Sequence, residues 1–348
     1  MADLAAAAFF FCLSGTLIFV NLDRQRWLAV TLALVVAGCG SYLTSQRTVY
    51  ENDDILNYHE IYLALGNGDW SRVDDLGGGL EVVLPLILRA MHPFMGDLGV
   101  SGLLFWLTFV GVSAAIAIFA WLIPQIGDGR HFSLRLAFSI AFMSFFGASH
   151  TTRQFYAGVV MLPLLALWPS ARTTLWLGVI ASLTHVTSVF YVVVLRLCRS
   201  PLGLSLLVLF SIGLIVEAEP LLSAYFELAP NLIQSKLTIL TLQGMDNNDI
   251  SNMPDLVRLG LLSAVVLGSQ IMKPDSVPVW TRRFVYLGFV INFLLVDVAF
   301  LGSRVNHMLL NVGYGFILMM STRGSLTVSH MVALVGSLYQ THLLLGYD

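Results

Sequence analysis

The chain has 348 residues, 57% of them hydrophobic and only 11% charged, against about 25% charged in an ordinary soluble domain, which excludes water as the solvent for most of its surface. A formal net charge of -3 with no basic tail gives no footing for nucleic acid, and that partner class is set aside. Apolar runs of about 15 to 25 residues recur from end to end, the length a helix needs to cross a ~30 Å hydrocarbon core, whereas transmembrane strands show short alternating segments. The predicted fold class is an all-α polytopic integral membrane protein with about 10–11 transmembrane helices, built as a single transmembrane domain over 1–348.

The predicted spans, in order, are Leu4 to Val20, Trp27 to Leu43, Val100 to Ile123, Leu134 to Ala148, Gln154 to Trp168 and Thr174 to Leu195. They continue with Leu202 to Val216, Leu256 to Met272, Phe284 to Leu301, Val305 to Met320 and Val328 to Leu345. The first has Asp3 before it and Asn21-Leu-Asp-Arg-Gln-Arg after it. It therefore reads as an uncleaved span and not a signal peptide. Cys12, Cys39 and Cys198 lie within or beside apolar runs without metal-ligand spacing, as small apolar residues do.

Two connections are longer than a turn, Thr44 to Gly99 and Glu217 to Asp255. Within the first, Leu80 to Phe94 is apolar but short, a half-span or a surface helix. Arg24 and Arg26 place the first loop in the cytoplasm and the Thr44 to Gly99 loop outside. Arg130 with Arg135, Arg196 with Arg199, Lys273 with Arg282 and Arg283, and Arg323 likewise mark cytoplasmic loops. Three spans then separate Arg130 from Arg196, where an even number is required. Either Leu80 to Phe94 crosses, or Thr174 to Leu195 breaks near His185 and returns.

Ionisable groups at membrane depth cost at least ~2.5 kcal/mol each, so they line cavities or pair. Among the 18 basic residues only Lys236 and Lys273 are lysines. The rest are Arg, whose planar fork grips phosphate oxygens. In the outward loop Asp53, Asp54, Tyr58, His59 and Tyr62 fall within about three helical turns, with Tyr58 and Tyr62 on one face. Such a wall suits a sugar; its plain alternative is a solvated surface helix. Arg153 opens an apolar span beside His150, Gln154 and Tyr156, where it either binds an anion or snorkels to the interface. His185 interrupts an apolar run between Thr184, Thr187 and Ser188, either as a proton acceptor or as a packed side chain satisfied by those hydroxyls. Late in the chain Asp297 and Arg304 share a helical face, as do Arg304 and His307; a structural ion pair is the alternative there. No nucleotide-binding loop, zinc spacing or serine nucleophile elbow is present, nor are the repeats and paired broken helices of secondary transporters.

In this order the signals resemble the EpsG-like family of polysaccharide polymerases, relatives of the Wzy O-antigen and capsule polymerases. The resemblance is carried by Asp53, Asp54 and Tyr58 in the outward loop, Glu81 opening the next apolar segment, the Arg153-Gln154 pair, His185 and Arg304. It favours the break at His185. It implies a GT-C-like glycosyltransferase architecture with an outward-facing substrate cavity in the bacterial inner membrane. The implied reaction moves a growing glycan from its polyprenyl diphosphate to an incoming lipid-linked oligosaccharide repeat unit, as in O-antigen, capsule or exopolysaccharide synthesis. Arg153 and Arg304, with Tyr58, Gln154, Glu81 and His307, would bind substrate, and Asp54, Asp53 or His185 would supply the base. No cofactor and no metal is expected, since Arg can take a metal's place as charge stabiliser. Expected partners are the lipid-linked donor and acceptor, membrane lipid, a chain-length regulator and a flippase. Two alternatives stay open: another lipid-linked glycosyltransferase or glycan ligase, and a carrier or flippase for a lipid-linked or anionic solute.

Overall fold

The computed structural model describes residues 2–51, 53–76, 79–127, 130–168, 170–216, 253–294, 308–322 and 325–346. Asp297, Arg304 and His307, and nearly all of the second long connection, lie outside these. Among the described residues the regular structure is helical throughout. In chain order it comprises α1 (Ala2–Phe19), α2 (Arg26–Ser45), α3 (Asp54–Gly66), a 3-10 turn (Ser71–Asp75), α4 (Val83–Met95), α5 (Val100–Leu122), α6 (Phe132–Ala141), α7 (Phe145–His150) and α8 (Thr152–Ala166). There follow α9 (Ala171–Thr184), α10 (Ser188–Leu197), α11 (Pro201–Val216), α12 (Met253–Met272), α13 (Val279–Leu294), a π-helical turn (Met308–Gly313), α14 (Tyr314–Thr322) and α15 (Leu326–Leu345).

Four of these are long and apolar enough to cross a membrane: α1, α2, α5 and the stretch Asp255–Met272 of α12. The protein is a helical membrane protein, but its described residues hold fewer full-length spans than hydropathy predicts: two predicted spans are broken, and others are helices of 15 or 16 residues or lie partly outside the described residues. The run Leu134 to Ala148 is two helices. Ser144 ends the gap between α6 and α7: its Oγ accepts from Gly147 N at 2.8 Å, and its own N–H donates to Asn311 O at 2.8 Å. In the same gap the Phe142 ring lies so close to Gly336 of α15 that a Cβ there would come within 2.5 Å of it. A cap and a long-range notch are not hydropathy signals, so the break is invisible in the apolar run.

The run Thr174 to Leu195 breaks at His185, which leaves the helix with φ -154° and ψ 117°. A Cβ on Gly178 of α9 would lie 3.2 Å from Val192 of α10, positions that a straight helix would hold about 21 Å apart. The chain therefore turns back. α9 has 14 residues and reaches about 21 Å, short of a ~30 Å core. The connections that flank the hairpin meet: Arg199 stacks over Trp168 at 4.5 Å and Trp280 at 5.5 Å, and Arg283 donates to the carbonyls of Cys198 and Arg199, each at 3.0 Å.

At the amino-terminal end of the chain, Ala29, Ala33 and Ala37 repeat every fourth residue on α2 and are fully buried, letting α1 and α5 approach closely as small residues do in membrane bundles. The loop before α2 holds the one before α6. Asp23 accepts from the backbone N–H groups of His131 (2.8 Å) and Phe132 (2.7 Å). That clamp fixes His131 in the left-handed region at φ 55°, a conformation costing a non-glycine residue about 1–2 kcal/mol.

The Thr44 to Gly99 connection is a packed two-helix layer. Ile55, Tyr58, Ile61, Tyr62 and Leu65 recur at helical spacing on α3 and bury against Leu84, Leu88 and Met91 of α4 and Leu103, Leu104 and Leu107 of α5. With 13 residues each, α3 and α4 reach only about 20 Å, so the Leu80 to Phe94 segment is too short to cross.

Candidate functional site

Arg153 stands in the first turn of α8, where the helix dipole disfavours a cation. Carboxylates from two other segments compensate it. Glu81, in the connection just before α4, places Oε2 2.5 Å from Arg153 Nη1. Asp54, first residue of α3, lies 3.8 Å from Nη2. Between them the Tyr58 hydroxyl accepts from Arg153 Nε at 3.0 Å and donates to Asp54 Oδ2 at 3.3 Å. Burial, the leading cause, holds that phenol protonated above its usual range, as a donor to Asp54 requires.

The second oxygen of Glu81 serves the break between α9 and α10. Oε1 accepts from His185 Nδ1 at 2.8 Å and from Val186 N at 3.1 Å. Burial pushes the Glu81 carboxyl up, but the His185 hydrogen bond, the Arg153 charge and the Val186 amide together outweigh it and hold the group down at about 2. Because a carboxylate only accepts, Nδ1 of His185 carries the proton and Nε2 is left as the basic nitrogen. Gln154 Nε2 lies 3.2 Å from it. The other amide atom, Gln154 Oε1, is buried with no hydrogen-bond partner.

Six residues singled out in the sequence thus converge: Asp54, Tyr58, Glu81, Arg153, Gln154 and His185. Exposure separates the two carboxylates. The Glu81 side chain is 2% exposed and that of Asp54 51%, so Glu81 is enclosed within the cluster and Asp54 lies at its open edge.

The neighbours of these residues have other duties. Asp53 is the N-cap of α3, accepting from Ile55 N at 3.2 Å, and is ion-paired to buried Arg47. Its carboxyl is engaged there and not in the Arg153 cluster. Tyr62 is buried and donates to Gly96 O, and His59 Nε2 lies 2.8 Å from Leu98 O. The face shared by Tyr58 and Tyr62 is therefore core, and their rings form no sugar platform; only the Tyr58 hydroxyl reaches the cluster. Tyr156 is buried and donates to Leu107 O at 2.8 Å, tying α8 to α5.

Sequence reasoning passed over Arg258 of α12. Its Nη2 donates to Leu310 O at 2.8 Å, its Nη1 lies 3.6 Å from Asp255, and its guanidinium sits 5.4 Å from the Tyr314 ring centroid. The signal that flags Arg153, an Arg inside the start of an apolar run, marks this position equally. No protein-family model, no curated protein and no solved structure matches the chain.

Proposed function

We propose that the protein is a membrane glycosyltransferase of the polysaccharide-polymerase kind, with a GT-C-like plan, acting on polyprenyl-diphosphate-linked glycans at the outer face of a bacterial inner membrane. One observation carries the reading: Glu81 bridges Arg153 and His185, joining a cation to an oriented base, with a half-exposed carboxylate alongside.

In this reading Arg153 faces the departing diphosphate. Its Nη2 is the guanidinium nitrogen least committed within the protein, with only the 3.8 Å contact to Asp54, and a fixed cation where charge develops stabilises the transition state. A hydroxyl of the incoming repeat unit gives its proton to His185 Nε2. Its oxygen forms a bond to C1 of the growing chain's lipid-proximal sugar. The C1–O bond to the diphosphate breaks, and that electron pair leaves with the lipid diphosphate. Glu81 pairs with the imidazolium so formed, and Gln154 turns its amide so that the unpartnered Oε1 accepts from Nε2–H. Asp54 accepts from a sugar hydroxyl at the open edge. Lipid, a chain-length regulator and a flippase complete the expected partners.

Gel analysis of lipid-linked glycan in cells lacking the protein, complemented at matched membrane expression, tests this. Single-repeat glycan in the deletion, a ladder with wild type and none with Arg153→Ala is the expected outcome. A ladder that persists without the protein, in a strain with no second polymerase, ends the reading. A single shift in place of a ladder assigns a ligase or single-sugar transferase instead.

A second reading, carriage of an anionic or lipid-linked solute, is favoured by the two interrupted helices at Phe142–Ser144 and His185–Thr187, because transporters build sites from discontinuous helices. Solute movement across sealed vesicles without glycosidic bond formation would establish it.

A further inference from the structure

A cavity of about 510 Å³ lies against the α7–α8 junction, within the roughly 300–1,000 Å³ typical of small-ligand sites. Its walls come from the break between α6 and α7, the start of α12, the π-helical turn, α14 and α15. His150 and Thr151 line it, and Arg153 follows two positions later, so the cavity ends within about 7 Å of the Arg153 backbone.

Two polar side chains on the wall are largely covered: Gln340 of α15 is 4% exposed and Tyr314 of α14 is 6% exposed, and among the described residues neither side chain makes a hydrogen bond, so both open onto the cavity. Buried polar groups in folded proteins are otherwise paired, so these two are free to hydrogen-bond an occupant of the cavity. Among the described residues the charge on the wall is paired, since Arg258 faces Asp255 at 3.6 Å and lies over the Tyr314 ring. Phe142, Phe146 and Tyr339 add aromatic surface. A neutral, hydroxyl-rich ring fits such a wall: its hydroxyls donate to and accept from the amide and the phenol, and its C–H faces lie on the aromatics.

We propose that this cavity is a glycan subsite that holds a neutral sugar of the repeat unit through Gln340 and Tyr314, next to but separate from the Arg153 cluster. The proposal rests on the lipid-linked glycan reading for the source of the sugar, and on the cavity alone for its chemistry. Gln340 and Tyr314 are in this view binding residues whose partners arrive with the substrate.

The test uses the full chain in lipid nanodiscs, with the lipid-free repeat-unit oligosaccharide released by mild acid from the same cells as probe. Saturation-transfer NMR reads its binding to wild type, to Gln340→Leu and to Tyr314→Phe, beside the glycan ladder in cells. Both changes keep side-chain size, and Tyr314→Phe removes a single oxygen, so it decides the matter should Gln340→Leu fold poorly. Loss of one buried hydrogen bond to the sugar is expected to weaken binding about five- to tenfold and to shorten the ladder. Equal binding by all three proteins, or no binding to a wild type that makes a ladder, overturns the subsite and leaves the polymerase reading standing. If wild type makes no ladder but binds the probe in a manner lost in both variants, the polymerase reading falls and the sugar site stands. Neither ladder nor binding overturns both.

Discussion

The two arginine-centred regions differ in how completely they are closed. Around Arg153 the guanidinium, the phenol of Tyr58, both oxygens of Glu81 and Nδ1 of His185 are all engaged with one another, leaving the Oε1 of Gln154 as an unmet acceptor. Around Arg258 the cation is balanced by Asp255, but Gln340 and Tyr314 face open volume. A closed network holds groups in one geometry before any ligand arrives, as stabilising a transition state requires. An open wall with unmet hydrogen bonds awaits a ligand to complete it. The same residue type serves either end according to what surrounds it.

The sharpest way to break this comparison is to remove the hub of the closed region. Glu81→Ala leaves Arg153 and His185 enclosed without their common partner and is expected to cost about 3–5 kcal/mol, seen as a large fall in the thermal unfolding midpoint in detergent. Asp255→Ala at the cavity edge, a quarter exposed and 3.6 Å from its partner, is expected to cost less than about 1 kcal/mol. Equal losses would erase the distinction. The Glu81 effect also carries a pH signature. Its folded-state value of about 2 lies below the ordinary 4.5, so the stability gap between wild type and Glu81→Gln is full above about pH 4.5 and closes as pH falls toward 2. Melting curves between pH 6 and pH 2.5 follow that closure.

Next in size is Arg153→Lys. It keeps the charge but loses the fork that reaches Tyr58 and Glu81 together, and ladder formation is expected to drop at least tenfold with the protein still folded. Arg258→Lys should cost only about two- to fivefold, the scale of its stacking on Tyr314. Both are read by densitometry at matched expression. Gly178→Ala is smaller again: the added Cβ meets Val192 at 3.2 Å, and a few tenths of an ångström of yielding in the hairpin is expected to cost about 1 kcal/mol. The smallest expected effect is none. Chelator should leave polymerisation unchanged, and loss of activity that added Mg²⁺ restores would replace Arg153 as charge stabiliser by a metal.

Much of the Arg153 cluster was legible because charge inside apolar sequence is conspicuous. Arg153 and Gln154 stand out by residue type at a span's start, Asp54 in the outward loop and His185 within an apolar run; Glu81 entered through the family resemblance, and the odd span count left His185 as one of two possible turning points. Partnership was not legible. Asp53 and Asp54 are adjacent and chemically identical, yet one caps α3 against Arg47 and the other faces Arg153, a division set by which way each carboxylate leaves the helix start. Tyr58 and Tyr62 share a face as the spacing predicts, but whether that face meets core or solvent depends on α4 and α5, which periodicity does not report. The α6–α7 break was hidden for the reason that Phe142 is apolar: it continues the hydrophobic run while its ring ends the helix by fitting against Gly336.

The Asp23 clamp has a consequence for biogenesis. Its two amide donors lie 108 and 109 residues further along the chain, so at about 5–20 residues per second of synthesis the carboxylate waits roughly 5 to 20 s for them. During that interval the α1–α2 hairpin is complete in length but its connecting loop has no lock, and Asp23 must stay hydrated at the membrane surface. The nascent protein thus passes through a stage in which its first hairpin can still be handled by the insertion machinery, and the emergence of His131 and Phe132 ends it.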